Sequence, residues 1–203
     1  LIRTQKELAG TPCIGFEPVA ADRKQICCSR SFAQNCSDAD AVASALAVHA
    51  AQAARRLRQQ HCRALAVSVF VLSNTFNPRQ KQHVIHATTV FKYATADTAR
   101  ITHAACEMMR ARFVRGVGYK KAGIILSELV PEGTPEPLDL FDTPSPEQER
   151  REKLMQVLDS LTSRYGVSPL TTAVSTLSSG AAMRRERLSR CYTTRLADVL
   201  TAN

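Results

Sequence analysis

The chain is expected to fold as an α+β domain, a four-stranded sheet with two helices on one face, and three observations predict it. Two stretches far apart in sequence, Ile26-Cys27-Cys28-Ser29-Arg30-Ser31-Phe32 and Tyr119-Lys120-Lys121-Ala122-Gly123-Ile124-Ile125, set cations and small polar groups among apolar residues. That composition suits strands packed on one face and held against a polyanion on the other. Two segments between them carry helical periodicity, and two more alternate with period two. The resulting order, β-α-β-β-α-β, places both helices on one side of the sheet and leaves the other side open. The layout hosts many unrelated activities, so function has to come from the residues.

Each element has its own warrant. After the first strand, Val42, Leu46, His49, Ala53 and Leu57 recur at spacings of three and four between Asp38 and Gln60, with Arg55, Arg56 and Arg58 near the last carbonyls. This is an amphipathic helix with its charges placed to suit the dipole. Cys62 to Ser73 alternates, Leu65, Val67, Val69 and Val71 on one face and Ala66, Ser68 and Phe70 on the other, and reads as a central strand. Asn74 to Gln80 has Asn-Pro turn chemistry, and His83 to Tyr93 returns as a Thr- and Val-rich strand, which makes a hairpin. A second helix is expected from about Asp97 to Arg115, with Ile101, Ala105, Met108 and Met109 as its apolar stripe and Gly116 and Gly118 as its stop.

Charge divides the chain. Residues 1 to 130 hold 18 Lys and Arg against 8 Asp and Glu, residues 131 to 150 hold 1 against 6, and residues 151 to 203 hold 8 against 4. A basic body favours a nucleic-acid or anionic-membrane partner. Pro131, Pro135, Pro137, Pro144 and Pro146 mark an extended acidic linker, so the expected division is 1–18 as a lead-in, 19–130 as the sheet domain, 131–146 as the linker and 147–203 as a mainly helical extension. No apolar run approaches the roughly 20 residues of a membrane span, and the first 15 residues do not read as a signal peptide. Seven cysteines without a framework of spacings read as reduced thiols in a reducing, cytoplasmic compartment. The first residue is Leu1 instead of Met, which suggests that the chain continues upstream in its parent.

The residues also carry a resemblance. Pro12-Cys13-Ile14-Gly15-Phe16-Glu17 leading into the first strand, Ala53-Ala54-Arg55-Arg56-Leu57-Arg58, Thr95-Ala96-Asp97-Thr98, Tyr119-Lys120-Lys121-Ala122-Gly123, Asp139-Leu140-Phe141-Asp142, Leu154-Met155 with Asp159, and Tyr192-Thr193-Thr194-Arg195 occur in this order. Together they resemble the C-terminal half of the UmuC-type catalytic subunits of DNA polymerase V, which are Y-family polymerases of bacterial translesion synthesis. The resemblance runs over essentially the whole chain. It implies that residues 1–9 end a thumb, that 19–130 form a little-finger domain lying along the DNA major groove, and that 147–203 are the family's C-terminal extension. Phosphoryl transfer needs carboxylates that hold metal ions. In this family they lie on the palm with its Mg2+, upstream of Leu1, so no catalytic residue, metal or cofactor is expected here.

The expected role is to grip primer-template DNA by its backbone, without sequence preference. The candidate residues are Ser29, Arg30 and Ser31 on the first strand, Lys120 and Lys121 on the last, and more weakly Arg79, Lys81 and Lys92 on the hairpin and its neighbouring strand. In the linker, Leu138-Asp139-Leu140-Phe141 resembles the sliding-clamp-binding peptide of bacterial polymerases. Leu138, Leu140 and Phe141 are its apolar anchors, although Pro137 stands where the family usually has glutamine. A helix from Glu147 to Arg164 carries Leu154, Val157, Leu158 and Leu161 as a stripe, and a basic segment runs from Arg184 to Arg195. By resemblance the extension engages processed UmuD and the RecA filament in a nucleoid-associated assembly. A second DNA-binding patch reads the same arginines equally well, and Ser189-Arg190 stands where the family has Ser-Pro.

Other signals reduce to structure. His83 and His86 point to opposite faces of a strand, as do Cys27 and Cys28, so neither pair suits a metal. His49 reads as a satisfied core histidine, Met108 and Met109 as core filler, and Gly116-Val117-Gly118 lacks the context of a nucleotide loop. Two other function classes stay open. A free-standing nucleic-acid-binding protein would share the charge, and a protein-interaction module would show an apolar open face instead of a basic one.

Overall fold

The computed structural model describes residues 2–13, 23–77, 79–135, 146–165, 170–176, 189–192 and 195. A short helix, α1 (Ile2–Leu8), precedes β1 (Ile26–Cys36), α2 (Ala39–Gln59), β2 (Cys62–Ser73), β3 (Val84–Thr95), α3 (Thr98–Arg110) and β4 (Tyr119–Pro131), and α4 (Pro146–Tyr165) and a 3-10 turn (Ala173–Thr176) follow. The four strands form one sheet in the order β1-β4-β2-β3, every neighbouring pair antiparallel. The β-α-β-β-α-β expectation is met, with α2 and α3 packed together on one face.

Helix α2 departs from simple amphipathicity. Asp38 caps it, its carboxylate accepting from the backbone N–H groups of Asp40 and Ala41. Burial extends well beyond the expected stripe, to Ala43, Ser44, Ala45, Ala47, Ala50 and Ala54. The reason is a second layer. Helix α3 closes on one flank, where the Cys106 thiol faces the Ala43 carbonyl, and the 3-10 turn closes on another, where Ser44 Oγ donates to the Ser175 carbonyl at 2.8 Å. Alanine side chains let both backbones approach. His49 is buried in this layer, but its Nδ1 has no hydrogen-bond partner among the described residues, so it is not the satisfied core histidine expected.

Helix α3 ends at Arg110, five residues before the expected stop. Phe113 leaves the helix to pack on the buried Tyr119 ring, centroids 5.2 Å apart, and the Val114 N–H donates to the Tyr119 hydroxyl. That tertiary contact stops the helix before Gly116, whose φ of +79° serves the following turn. In β2 the face holding Val67, Val69 and Val71 is buried as expected, but Leu65 is only half-buried. Pro131 pairs with Cys62 as the last residue of β4, and Pro146 opens α4, so neither belongs to the linker. The buried face of α4 is also rotated from the expected stripe: Met155 and Thr162 are buried, whereas Leu154 and Val157 are each 54% exposed. The cause is Asp159, which turns inward to Arg58.

Candidate nucleic-acid interface

Cross-strand register defines the open face. One row runs Ser31, Lys121, Leu72, Val84; the next runs Ser29, Gly123, Phe70, His86; the third runs Cys27, Ile125, Ser68, Thr88. The Ser68 and Thr88 hydroxyls are bonded to each other at 2.8 Å. Phe70 lies across β4 so closely that a Cβ at Gly123 would meet Phe70 Cζ at 2.3 Å and Ser29 Cβ at 2.4 Å. The glycine is what lets a ring lie flat in the middle of this face. The Lys121 ammonium stands 5.8 Å from the centre of that ring, a favourable placement for a cation.

The expected strand candidates divide between faces. Ser29, Ser31 and Lys121 share the open face. Arg30 alternates to the other side, in register with buried Ala122 and near enough to α2 that its charge depresses His49. Lys120 is committed locally. The β1–β4 register slips between Ser31 and Cys36, and Lys120 Nζ donates to the carbonyls of Phe32 and Ala33 in that bulge at 2.8 and 3.3 Å. Arg79 and Lys81 are exposed in the β2–β3 hairpin, and Lys92 is exposed on β3 with its ammonium 5.1 Å from the Tyr93 ring centre. Leu138, Leu140 and Phe141, and most of the basic segment Arg184 to Arg195, lie outside the described residues.

The open face is thus neither uniformly basic nor uniformly apolar. It carries the hydroxyls of Ser29, Ser31, Ser68 and Thr88, the lysines Lys121 and Lys92, half-buried Phe70, Leu72 and Ile125, and exposed Val84 and Val90. Positive charge gathers instead at the rim where β2 turns into β3 and α3 leads into β4. There Arg79, Lys81, Arg112 and Arg115 are exposed. The carboxylates at that end are engaged, Asp38 as the cap of α2 and Asp40 with Arg110 at 2.7 Å. Sequence reasoning missed Arg112 and Arg115, having placed both inside α3. It also missed Tyr119, whose hydroxyl binds both rim loops, accepting from Val114 N–H and facing His83 Nδ1 at 2.9 Å.

The opposite end holds a cleft of about 290 Å³ between α4 and the sheet, lined by Arg58, Arg63, Asp97, Arg151, Glu152 and Met155 among others. Charges of both signs line it, and Arg151 faces Asp97 at 3.5 Å. Burial pushes the Cys28, Cys36 and Cys106 thiols upward, which keeps them protonated and poor nucleophiles. Among the described residues no group of three His, Cys, Asp or Glu could hold a metal, and no helix is long and apolar enough to cross a membrane.

The fold and this face define an α+β domain with one open sheet face and a cationic rim. The chain belongs to the impB/mucB/samB family: the model of that family's C-terminal domain matches residues 23–140, and a domain of unknown function matches residues 152–202. Protein UmuC of Salmonella typhimurium is 35% identical over 98% of this chain and 47% of its own length. Protein SamB of the same organism is 37% identical over 100% of this chain and 47% of its own length. Protein MucB of Escherichia coli is 36% identical over 96% of this chain and 45% of its own length. The chain therefore spans about half the length of these relatives. Among solved structures, a Y-family DNA polymerase chimera of Dbh and Dpo4 has a TM-score of 0.41 at 14% identity, covering 64% of this chain and 35% of that one. DinB from Sulfolobus solfataricus has a TM-score of 0.41 at 11% identity, covering 53% and 29%. These structural likenesses are too loose to carry function.

Proposed function

We propose that this chain is the DNA-gripping C-terminal part of an error-prone translesion polymerase of the UmuC type, holding primer-template backbone without reading sequence. The observation that carries the proposal is the junction of a mixed sheet face, where hydroxyls and Lys121 stand among apolar side chains, with a cationic rim. Lys121, Ser29 and Ser31 lie on the face, and Arg79, Lys81, Arg112 and Arg115 lie beside it. Phosphate contacts of this kind give affinity and register with little base discrimination.

On this reading the little finger runs from 19 to the end of β4 at Pro131, 132–145 is a linker offering Leu138, Leu140 and Phe141 to a sliding clamp, and the part from Pro146 onward is an extension toward processed UmuD and RecA. Catalysis with its Mg2+ belongs to the part of the polymerase this chain does not span. The place of work is the bacterial cytoplasm, on the nucleoid. The test is fluorescence anisotropy with primer-template DNA across a salt series. A log-log slope of about −3 to −5 is expected, flattened by about one unit in Lys121→Ala and unchanged in Arg30→Ala on the opposite face. Absence of binding, or an unaltered slope in Lys121→Ala, would overturn this assignment of the DNA face.

A further inference from the structure

We propose that the β2–β3 hairpin loop, over its described residues 74–77 and 79–83, is a preorganised DNA probe whose Phe76 ring stacks on an unpaired or extruded base. The inference rests on the DNA-binding reading above and deepens it.

Phe76 is 95% exposed, more than any other large apolar side chain among the described residues. A slack loop would lay such a ring on neighbouring apolar surface, because burying a phenylalanine is favourable. This loop is held against doing so. The Gln82 amide nitrogen donates across the carbonyls of Asn74, Asn77 and Gln80 at 2.9, 2.9 and 3.2 Å, and its Oε1 accepts from Ser73 Oγ at 2.8 Å. Asn74 Oδ1 accepts the Phe76 N–H and Asn77 Oδ1 the Arg79 N–H, at 3.2 and 3.1 Å. Asn35 Nδ2, from the end of β1, donates to Gln80 Oε1 at 2.8 Å and ties the loop to the sheet. The ring is therefore held in water by its scaffold.

What would receive it follows from the surroundings. Arg79 and Lys81 share the loop, Arg112 and Arg115 stand on the adjoining connection, and the nearby Asp38 and Asp40 are already engaged. A polyanion fits that field. A phenyl ring has no donor or acceptor for base edges or phosphates, so its attachment to a nucleic acid is stacking. Every base has a π-face, so such a contact tolerates any sequence. In an intact duplex those faces are already stacked, which leaves an unpaired or extruded base as the partner.

The experiment compares two equal-length probes, an intact duplex and one carrying a central unpaired 2-aminopurine, bound to the 203-residue chain. Wild type is expected to bind the second more tightly and to quench its fluorescence. Phe76→Ala should lose roughly 5-fold or more on the unpaired probe and lose the quench, with less than about a twofold change on the duplex and the same salt slope. Phe76→Tyr should behave as wild type. Because the ring buries little, melting temperatures should match, which excludes misfolding as the cause. Gln82→Ala, which loosens the scaffold without touching DNA, should weaken the quench at unchanged salt slope; an intact quench there overturns the preorganisation. If Phe76→Ala binds and quenches as wild type does, the stacking role is wrong and the ring serves a protein partner instead. If wild type binds neither probe at low salt, the DNA reading itself fails and takes the inference with it.

Discussion

Arg58 on α2 grips Asp159 on α4 through two parallel hydrogen bonds, Nε to Oδ2 at 2.6 Å and Nη2 to Oδ1 at 2.9 Å. The same guanidinium donates through Nη1 to the Ala96 carbonyl and to Thr98 Oγ1, at 2.7 and 3.1 Å. One side chain thereby joins the end of α2, the start of α3 and the first helix of the extension. Its geometry is bidentate and largely shielded from water, the arrangement in which an ion pair contributes most specificity.

Replacing Asp159 with Ala should lower stability by about 1–2 kcal/mol and speed amide exchange in α4 while leaving the sheet amides protected. Arg58→Ala should cost more, about 2–4 kcal/mol, because the Ala96 carbonyl loses its donor too. Hydrogen exchange by mass spectrometry resolves the two regions. Uniform loss of protection, or none in α4, would show that this pair does not hold the extension.

Tyr119→Phe tests how the rim loops are fixed. The hydroxyl accepts from Val114 N–H and shares a hydrogen bond with His83 Nδ1 whose donor is set by the histidine tautomer. Removing it from a fully buried site should destabilise by about 1–3 kcal/mol, and exchange should rise at residues 111–118 and 74–83 together. A rise in one loop alone would mean that the hydroxyl does not couple them.

Gly123→Ala should overpack the open face. A Cβ there falls within 2.4 Å of both Phe70 Cζ and Ser29 Cβ, so the expected loss is about 1–3 kcal/mol. Adding Phe70→Ala should recover part of it, since the ring is the far end of a movable side chain. Chemical denaturation of the two single variants and the double variant gives the coupling, and strict additivity would place the clash elsewhere.

His49 gives the domain a pH dependence. Burial above all, with the Arg30 charge second, lowers its pKa from 6.5 to about 4. The unfolded chain therefore takes up the proton first as pH falls. The stabilising contribution is complete above about 6.5 and is lost progressively toward 4, by about 3 kcal/mol as an order of magnitude. Denaturation midpoints at pH 7 and pH 4.5 should fall much further in wild type than in His49→Gln. Parallel falls would assign the acid sensitivity to other groups.

The sequence by itself determined the element order and the sheet with two helices on one face. Period-two and period-three-to-four patterns report which residues face a core: the expected stripe of α2 is buried, as are Val67, Val69 and Val71 of β2, although burial on α2 spreads well past the stripe and Leu65 is only half-buried. The sequence also placed Ser29, Ser31 and Lys121 on the first and last strands, but that these two strands adjoin came from the structure. Strict alternation already opposes Arg30 to Ser29 and Ser31, and grouping the three by motif overlooked it. The sequence did not show that a bulge in β1 draws Lys120 to two backbone carbonyls. Only the tertiary structure decided where α3 stops, because Phe113 gains more from packing on Tyr119 than from another helical turn. Only it decided which way α4 turns, because the paired Asp159 carboxylate outweighs the exposure of Leu154 and Val157. Contacts between residues about 100 positions apart, such as Arg58 and Asp159, leave no local periodicity to read. They arise when the folded chain brings a half-buried donor to a carboxylate from a distant helix.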